Sequence, residues 1–287
     1  MIDYSLSDDE EAVVEAARQV AQSDDPWRGL VDGGWLDLLL DGDGDATPLG
    51  FLGFVAEEMG YAGVSSPLPG SAALWPTLFQ QSCAGKRVGV VRSDYCEDGA
   101  GAELVVVRPD GYDDFDVEPL GGLEGDGLAR VTRLGTPIAT TPDEDALAPL
   151  AMQRAIALVC SEMAGLMRRV LDMTLAHLAT REQFGQPLSS FQVIQHGAAR
   201  LATMAEGATW GARLVTHDLT RQNVHGVKGW LSSTAQEASA LAHQLHGATG
   251  FTEEYGLQLL TKRLRTLRFA WGDDRHHHEA LGILSIS

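Results

Sequence analysis

Three side chains in the run Arg181-Glu182-Gln183-Phe184-Gly185-Gln186-Pro187-Leu188-Ser189-Ser190-Phe191-Gln192 could hold a nucleotide. The guanidinium of Arg181 can grip a pyrophosphate through two parallel hydrogen bonds. Phe184 can cover an adenine or ribose, and the carboxamide of Gln192 can bond a phosphate or ribose oxygen. A second run, Gln244-Leu245-His246-Gly247-Ala248-Thr249-Gly250-Phe251, has the same character. Gln244 offers another carboxamide, and Gly247 lets backbone approach a ligand closely. A purely structural reading stands beside this one: Arg181 as a cation at a helix C-terminus, Phe184 as core and Gly247 as a C-cap.

Other chemistry is weakly represented. His276-His277-His278 invites a metal reading, but consecutive residues on a helix point about 100° apart and cannot chelate as one face. Asp41-Gly42-Asp43-Gly44-Asp45 invites a calcium reading. The calcium loop needs Gly at its sixth position and Glu at its twelfth, where this chain has Ala46 and Leu52. An acidic turn is expected there, and no metal. Cys83, Cys96 and Cys160 lack metal-ligand spacing, and an odd number argues against a disulfide framework.

The elements that must position the two runs are helical. Ser7-Asp8-Asp9-Glu10 reads as a capping box for a helix carrying Val13, Val14, Ala17, Val20 and Ala21. Short helices follow through Trp35–Leu40, from Thr47 to about Gly60, and from Pro69 to Gln81, so a helical domain is expected over 1–86. Four short β-prone runs (88–91, 104–107, 115–117 and 129–132) mark a small β segment over 87–140. Thr141-Pro142-Asp143-Glu144 reads as a second capping box, with Pro at the first helical position. The long helix it opens reaches about Glu182 and has an apolar stripe of Val159, Met163, Leu166, Met167, Val170, Leu171, Thr174 and Leu178. Three further helices are expected near 190–222, 229–246 and 254–270. The segment 141–287 therefore reads as a four-helix bundle in a mainly α chain. In an up-down bundle the end of one helix and the start of the next share a pole, which gathers Arg181 and Gln192.

Charge excludes some partners. The 287 residues sum to a formal net charge of −19, with −21 on residues 1–150 and +2 on 151–287. A polyanionic front half repels nucleic acid and anionic membrane surfaces. The start lacks a basic and apolar leader, and the most apolar tract, 145–180, is interrupted by charges, so a cytoplasmic protein is expected.

The two runs, with Glu254-Tyr255 after the second, resemble paired signatures of the acyl-CoA dehydrogenase family. Gly34-Trp35 and Glu57-Glu58-Met59-Gly60 are similar to that family's N-terminal helical domain. The resemblance implies an FAD-dependent α,β-dehydrogenation of an acyl-CoA thioester. It assigns Arg181, Phe184, Gln192, Gln244 and Gly247 to the ADP half of an FAD whose flavin ring sits in a neighbouring subunit. At the family's usual second glycine this chain has Ala248, which adds to the same cofactor-binding set.

Departures from the pattern shape the functional expectation. The family's glutamate base, in a loop after the last bundle helix, corresponds to Trp271, and an indole cannot abstract an α-proton. The alternative position early on the first bundle helix holds Ala155. Asp273, Asp274 and Glu162 are candidates for a relocated base. The middle segment is shorter than the family's β domain and lacks its flavin-contacting stretch. Such a chain resembles the degenerate subunit of heteromeric α2β2 bacterial acyl-CoA dehydrogenases of steroid side-chain catabolism. No catalytic residue is assigned to it. A catalytic paralogue would bind most of the acyl-CoA, and an electron-transfer flavoprotein or similar acceptor would take the electrons. A self-sufficient flavoenzyme with a relocated carboxylate, and a non-enzymatic interaction protein without flavin, are the alternatives.

Overall fold

The computed structural model describes residues 6–40, 47–92, 95–120 and 127–284. The acidic run 41–45, expected to be a turn, lies outside them. Helix α1 (Asp8–Ala21) starts at the capping box: Ser7 Oγ accepts the Glu10 amide at 3.3 Å and Glu10 Oε2 accepts the Ser7 amide at 2.8 Å. After α2 (Pro26–Asp32) and a 3₁₀ turn, Trp35–Asp37, comes α3 (Thr47–Ala62). The segment expected as one helix from Pro69 divides into a π-helical turn, Pro69–Leu74, and α4 (Trp75–Phe79). Pro76 cannot donate a backbone bond, and Trp75 N–H donates to Gly70 O five residues back, which widens the turn.

Seven short strands follow: β1 (Val88–Arg92), β2 (Tyr95–Glu97), β3 (Leu104–Val107), β4 (Asp110–Tyr112), β5 (Phe115–Pro119), β6 (Ala129–Leu134) and β7 (Ala139–Thr140). They form one sheet in the order β5-β6-β2-β1-β3-β4-β7. Only the β1–β3 pair is parallel, aligning Val88 with Leu104 and Val90 with Val106. All four β-prone runs are strands, and β2, β4 and β7 are three that the composition did not mark. The sheet sits against the π-turn and α4. A Cβ on Gly70 would come within 2.3 Å of Val88 O, and one on Gly111 within 2.7 Å of the Trp75 ring.

Helix α5 (Glu144–Thr180) is the axis of the molecule. Its N-cap is Asp143, whose carboxylate accepts the Ala146 amide at 3.1 Å, and not Thr141 as the capping-box pattern suggested. Thr141 is used elsewhere, since its hydroxyl donates to Pro109 O at 2.8 Å and ties the helix start to the sheet. Every residue from Ala155 to Met167 is buried, so the helix is enclosed all round there and not along one stripe. It is long and apolar enough to cross a membrane, yet 78% of its most apolar window is buried inside this fold, which makes it a core helix.

Two glycines allow α3 to cross α5 backbone to backbone. A Cβ on Gly60 would lie 2.2 Å from Glu162 O, and one on Gly165 1.9 Å from Glu57 O. The same crossing buries Glu57 and Glu58, which bind Arg168 at 2.6 and 2.5 Å. Arg18 of α1 adds a 3.3 Å bond to Glu58, and the Arg168 guanidinium lies 4.7 Å from the Tyr61 ring centroid.

Beyond α5 a hairpin of β8 (Glu182–Gln183) and β9 (Gln186–Pro187) leads to α6 (Gln192–His217) and α7 (Arg221–His246). The third bundle helix thus begins eight residues before the expected 229. Thr220 Oγ1 accepts the Asn223 amide at 3.2 Å and supplies the cap. The last helices are α8 (Leu257–Phe269) and α9 (Asp274–Leu284); α9 packs against α7 and adds a fifth helix to the four expected.

Candidate functional site

Arg181 is the C-cap of α5, where ψ turns to 121° and the chain leaves the helix. Leu188 N–H returns to Arg181 O at 2.8 Å and closes the hairpin. The two residues between the paired strand ends, Phe184 and Gly185, have φ of 54° and 79°, as a type I′ turn demands. Phenylalanine in the left-handed region costs about 1 kcal/mol. The ring it presents is 93% exposed, with Phe191 edge-on at 6.1 Å. Phe184 is therefore not a core residue. A strained backbone holds an apolar ring in solvent.

Gln192 opens α6 and is exposed; Phe191 at its N-cap makes no side-chain capping bond. At the other run, α7 ends at His246. Gly247 follows with φ 60° and ψ −141°, a conformation open in practice to glycine alone. A Cβ there would meet no atom within 4 Å, so the requirement lies in the backbone and not in crowding. Gln244, Gly247 and Ala248 are exposed, as is Arg181, which makes no ion pair among the described residues. All six expected cofactor-binding residues thus lie on the surface.

Of the residues that join the two runs, His246 and Tyr255 fall within the quoted signatures but without this role, and His177 carries no signal in sequence. His177, one turn before Arg181, stacks on His246 with ring centroids 4.6 Å apart. Tyr255 meets both rings edge-on, its hydroxyl 3.2 Å from His246 Nε2 and 3.1 Å from Met173 O. Burial lowers the pKa of both histidines; mutual repulsion and the Arg181 charge push His177 down further. His246 Nδ1 donates to Ala242 O at 2.8 Å, which fixes its neutral tautomer. A neutral stack, some seventy residues apart in sequence, sets the ends of α5 and α7 side by side.

The two positions expected for a catalytic glutamate are closed. Ala155 is fully buried in α5, and Trp271 is 3% exposed. Trp271 has φ 62°; its amide donates to Glu97 Oε1 at 3.3 Å and Arg92 stacks 5.2 Å from its ring. Its carbonyl accepts from His277 Nε2 at 3.1 Å. Burial raises the Glu97 pKa, with Arg92 offsetting part of the rise. Fully buried Lys228 donates to Ser232 Oγ, Arg268 O and Gly272 O at 2.9, 3.2 and 2.9 Å, which pins the same loop to α7. Its desolvation pulls the ammonium pKa down to about 8.

The three carboxylates considered as relocated bases are engaged. Glu162 is bidentate with Arg263 at 2.7 and 3.2 Å. Asp273 accepts the His276 amide at 2.9 Å as the α9 cap, and Asp274 accepts from Arg268 at 3.3 Å. His277 turns inward, Nδ1 to Nδ1 with His225 at 2.8 Å. Burial, Lys228 and the neighbouring imidazoles depress its pKa to about 3.

Residues 145–282 match the family model described as acyl-CoA dehydrogenase, C-terminal domain. Acyl-CoA dehydrogenase IpdE2 of Mycobacterium tuberculosis is 28% identical over 225 residues, which cover 73% of this chain and 69% of that protein. In the ChsE4-ChsE5 complex from Mycobacterium tuberculosis, one chain superimposes with a TM-score of 0.78 at 16% identity, covering 100% of this chain and 99% of that one. The structure of PigA with FAD and proline superimposes with a TM-score of 0.81 at 14% identity over 99% of both chains. At these identities the superpositions establish a shared fold.

Proposed function

We propose, from the match of residues 145–282 to the acyl-CoA dehydrogenase C-terminal domain model, that the chain is a cytoplasmic subunit of a heteromeric, FAD-dependent acyl-CoA dehydrogenase. Residues 1–86, 87–140 and 141–287 are its helical, β and bundle domains. FAD supplies the hydride acceptor when bound. This chain binds the ADP half of that cofactor, and a catalytic paralogue supplies the base and most of the acyl-CoA site. Electrons leave to an electron-transfer flavoprotein or similar acceptor. A steroid side-chain CoA ester is the proposed substrate class.

The observation that carries this reading is the opposition between an exposed, ligand-ready pole and a sealed interior. Arg181 is free of ion pairs among the described residues and can meet a pyrophosphate with both guanidinium edges. Phe184 offers an uncovered ring, and Gly247 an uncovered backbone. Gln192 and Gln244 stand on the adjoining helix ends for ribose and phosphate oxygens. These features fit a cofactor tail gripped across a subunit boundary, since none of them needs an enclosed pocket within this chain. Trp271 and Ala155 occupy the two positions expected for the base, and the candidate carboxylates Glu162, Asp273 and Asp274 hold structural partners. That disfavours a self-sufficient dehydrogenase.

The test is expression of this chain alone, the paralogue alone and both together, with bound FAD and acyl-CoA oxidation measured in each. FAD retention and turnover are expected only in the pair. Full activity from this chain alone would overturn the proposal, and so would a colourless, FAD-free pair.

A further inference from the structure

A groove of about 400 Å³ runs between α7 and α8, lined from His243, the residue before Gln244, to Phe269. Its floor is small side chains of α7, Ala235, Ser239 and Ala240, which leave room above the backbone. Its α8 wall carries Lys262, Arg265 and Arg268 at three-residue spacing, which puts all three on one helical face. Arg263, between them in sequence, turns the other way to bind buried Glu162. Phe269 closes one end with a ring 48% exposed and the Arg268 guanidinium 5.1 Å from its centroid. Gln236 and Thr261 add an amide and a hydroxyl.

Among the described residues no Asp or Glu lines this groove, although the chain carries a net charge of −19. Lys262 and Arg265 are exposed and make no ion pair among the described residues. Arg268 gives one terminal nitrogen to Gln236 and the other to Asp274, while its Nε is buried without a hydrogen-bond partner. In an acidic protein, two unpaired cations beside a third on one wall, with no carboxylate among the described lining residues, call for a polyanion. A half-exposed aromatic ring at the groove end calls for a flat group beside it.

We propose that the α7–α8 groove is a binding site for an organic phosphate, its phosphoryl oxygens held by Lys262, Arg265 and Arg268 and an aromatic ring against Phe269. Guanidinium pairing with phosphate supplies the directional part of the affinity. Arg181 is not among the lining residues, and the proposal does not rest on the cofactor reading.

The test is isothermal titration of the full chain with ADP, pyrophosphate and adenosine as probes, at low and at high salt. ADP and pyrophosphate are expected to bind, adenosine about tenfold more weakly or worse, with affinity falling as salt rises. The double variant Lys262→Gln/Arg265→Gln, at two exposed positions, should lose about tenfold in ADP affinity with an unchanged thermal midpoint. Because the proposed cofactor grip at Arg181 would itself take ADP, the titrations are repeated in Arg181→Ala, where saturable ADP binding sensitive to the double variant should remain. No saturable heat with ADP or pyrophosphate would overturn the proposal, as would a double variant that binds like wild type. Loss in Arg181→Ala alone would also overturn it, and would place the phosphate at the α5 pole. A polyglutamate peptide binding more tightly than ADP would assign the groove to a protein partner instead.

Discussion

The pole around Arg181 and the loop around Trp271 both sit at helix ends of the same bundle, yet they are built on opposite rules. At the pole, Phe184 holds a left-handed backbone to keep its ring 93% exposed, and Gly247 adopts a conformation that no crowding enforces. There the backbone closes a hairpin and caps α7 through the Gly247 N–H on His243 O, but it buries no side chain. At Trp271 the left-handed backbone buys contacts: a buried indole, a carboxylate on its amide, a guanidinium on its face and an imidazole on its carbonyl. Strain that is compensated internally reads as structure, and strain that is not reads as a surface waiting for a partner.

The comparison can be broken first at its interior side. Trp271→Ala removes a buried aromatic and should cost about 3–5 kcal/mol of stability, read from urea denaturation. The same variant should leave FAD retention by the paired subunits intact below its new midpoint. A fall in FAD content that precedes unfolding would make Trp271 part of the cofactor site and erase the contrast.

The interior should also respond to pH, through His277. His277 has a folded pKa near 3 against an unfolded value near 6.5, so between them the unfolded chain binds the extra proton. Stability attributable to this group is therefore complete above pH 6.5 and is lost as pH falls towards 3, with a limiting slope of about 1.4 kcal/mol per pH unit. Denaturation midpoints of wild type and His277→Gln across that window should differ in slope. Parallel curves would remove His277 from the account.

On the pole side, Gly247→Ala forces a side chain into a glycine conformation and should cost about 1–3 kcal/mol, or shift the loop. Because no atom crowds that Cβ, the expected signature is weaker FAD retention by the pair along with the stability loss. Loss of stability with full FAD retention would reduce Gly247 to a C-cap. The smallest effect is the most discriminating. Phe184→Gly should stabilise the isolated chain by about 1 kcal/mol, since it relieves the left-handed strain and removes no core contact. The same change should weaken FAD retention, and opposite signs in the two assays would mark a residue kept for an external ligand.

Much of this contrast was legible in sequence, where the chemistry is local. The Ser7–Glu10 capping box, the strand runs at Val88 and Leu104, and the helix break at Gly185 and Pro187 all depend on neighbours a few residues away. The same local rules misplaced the start of α5, because Thr141 is drawn to Pro109 by a tertiary bond and leaves the cap to Asp143. They read α5 as striped, because nothing in a single helix announces that α3, α6, α7 and α8 surround it. They also missed His177 and its stacking with His246 and Tyr255, whose meaning exists only when α5 and α7 lie side by side. The candidate pole was readable as residue types, and its assembly was not.

The most direct test of the central claim is the FAD content of the purified, co-expressed pair carrying Arg181→Ala in this chain. Arg181 is exposed and unpaired among the described residues, so the thermal midpoint of the isolated chain should hold steady. Losing a charge-assisted grip on the pyrophosphate should weaken FAD binding by about tenfold or more and leave the pair assembled but largely colourless. A pair that keeps full FAD and full turnover without Arg181 would contradict the claim that this chain holds the cofactor.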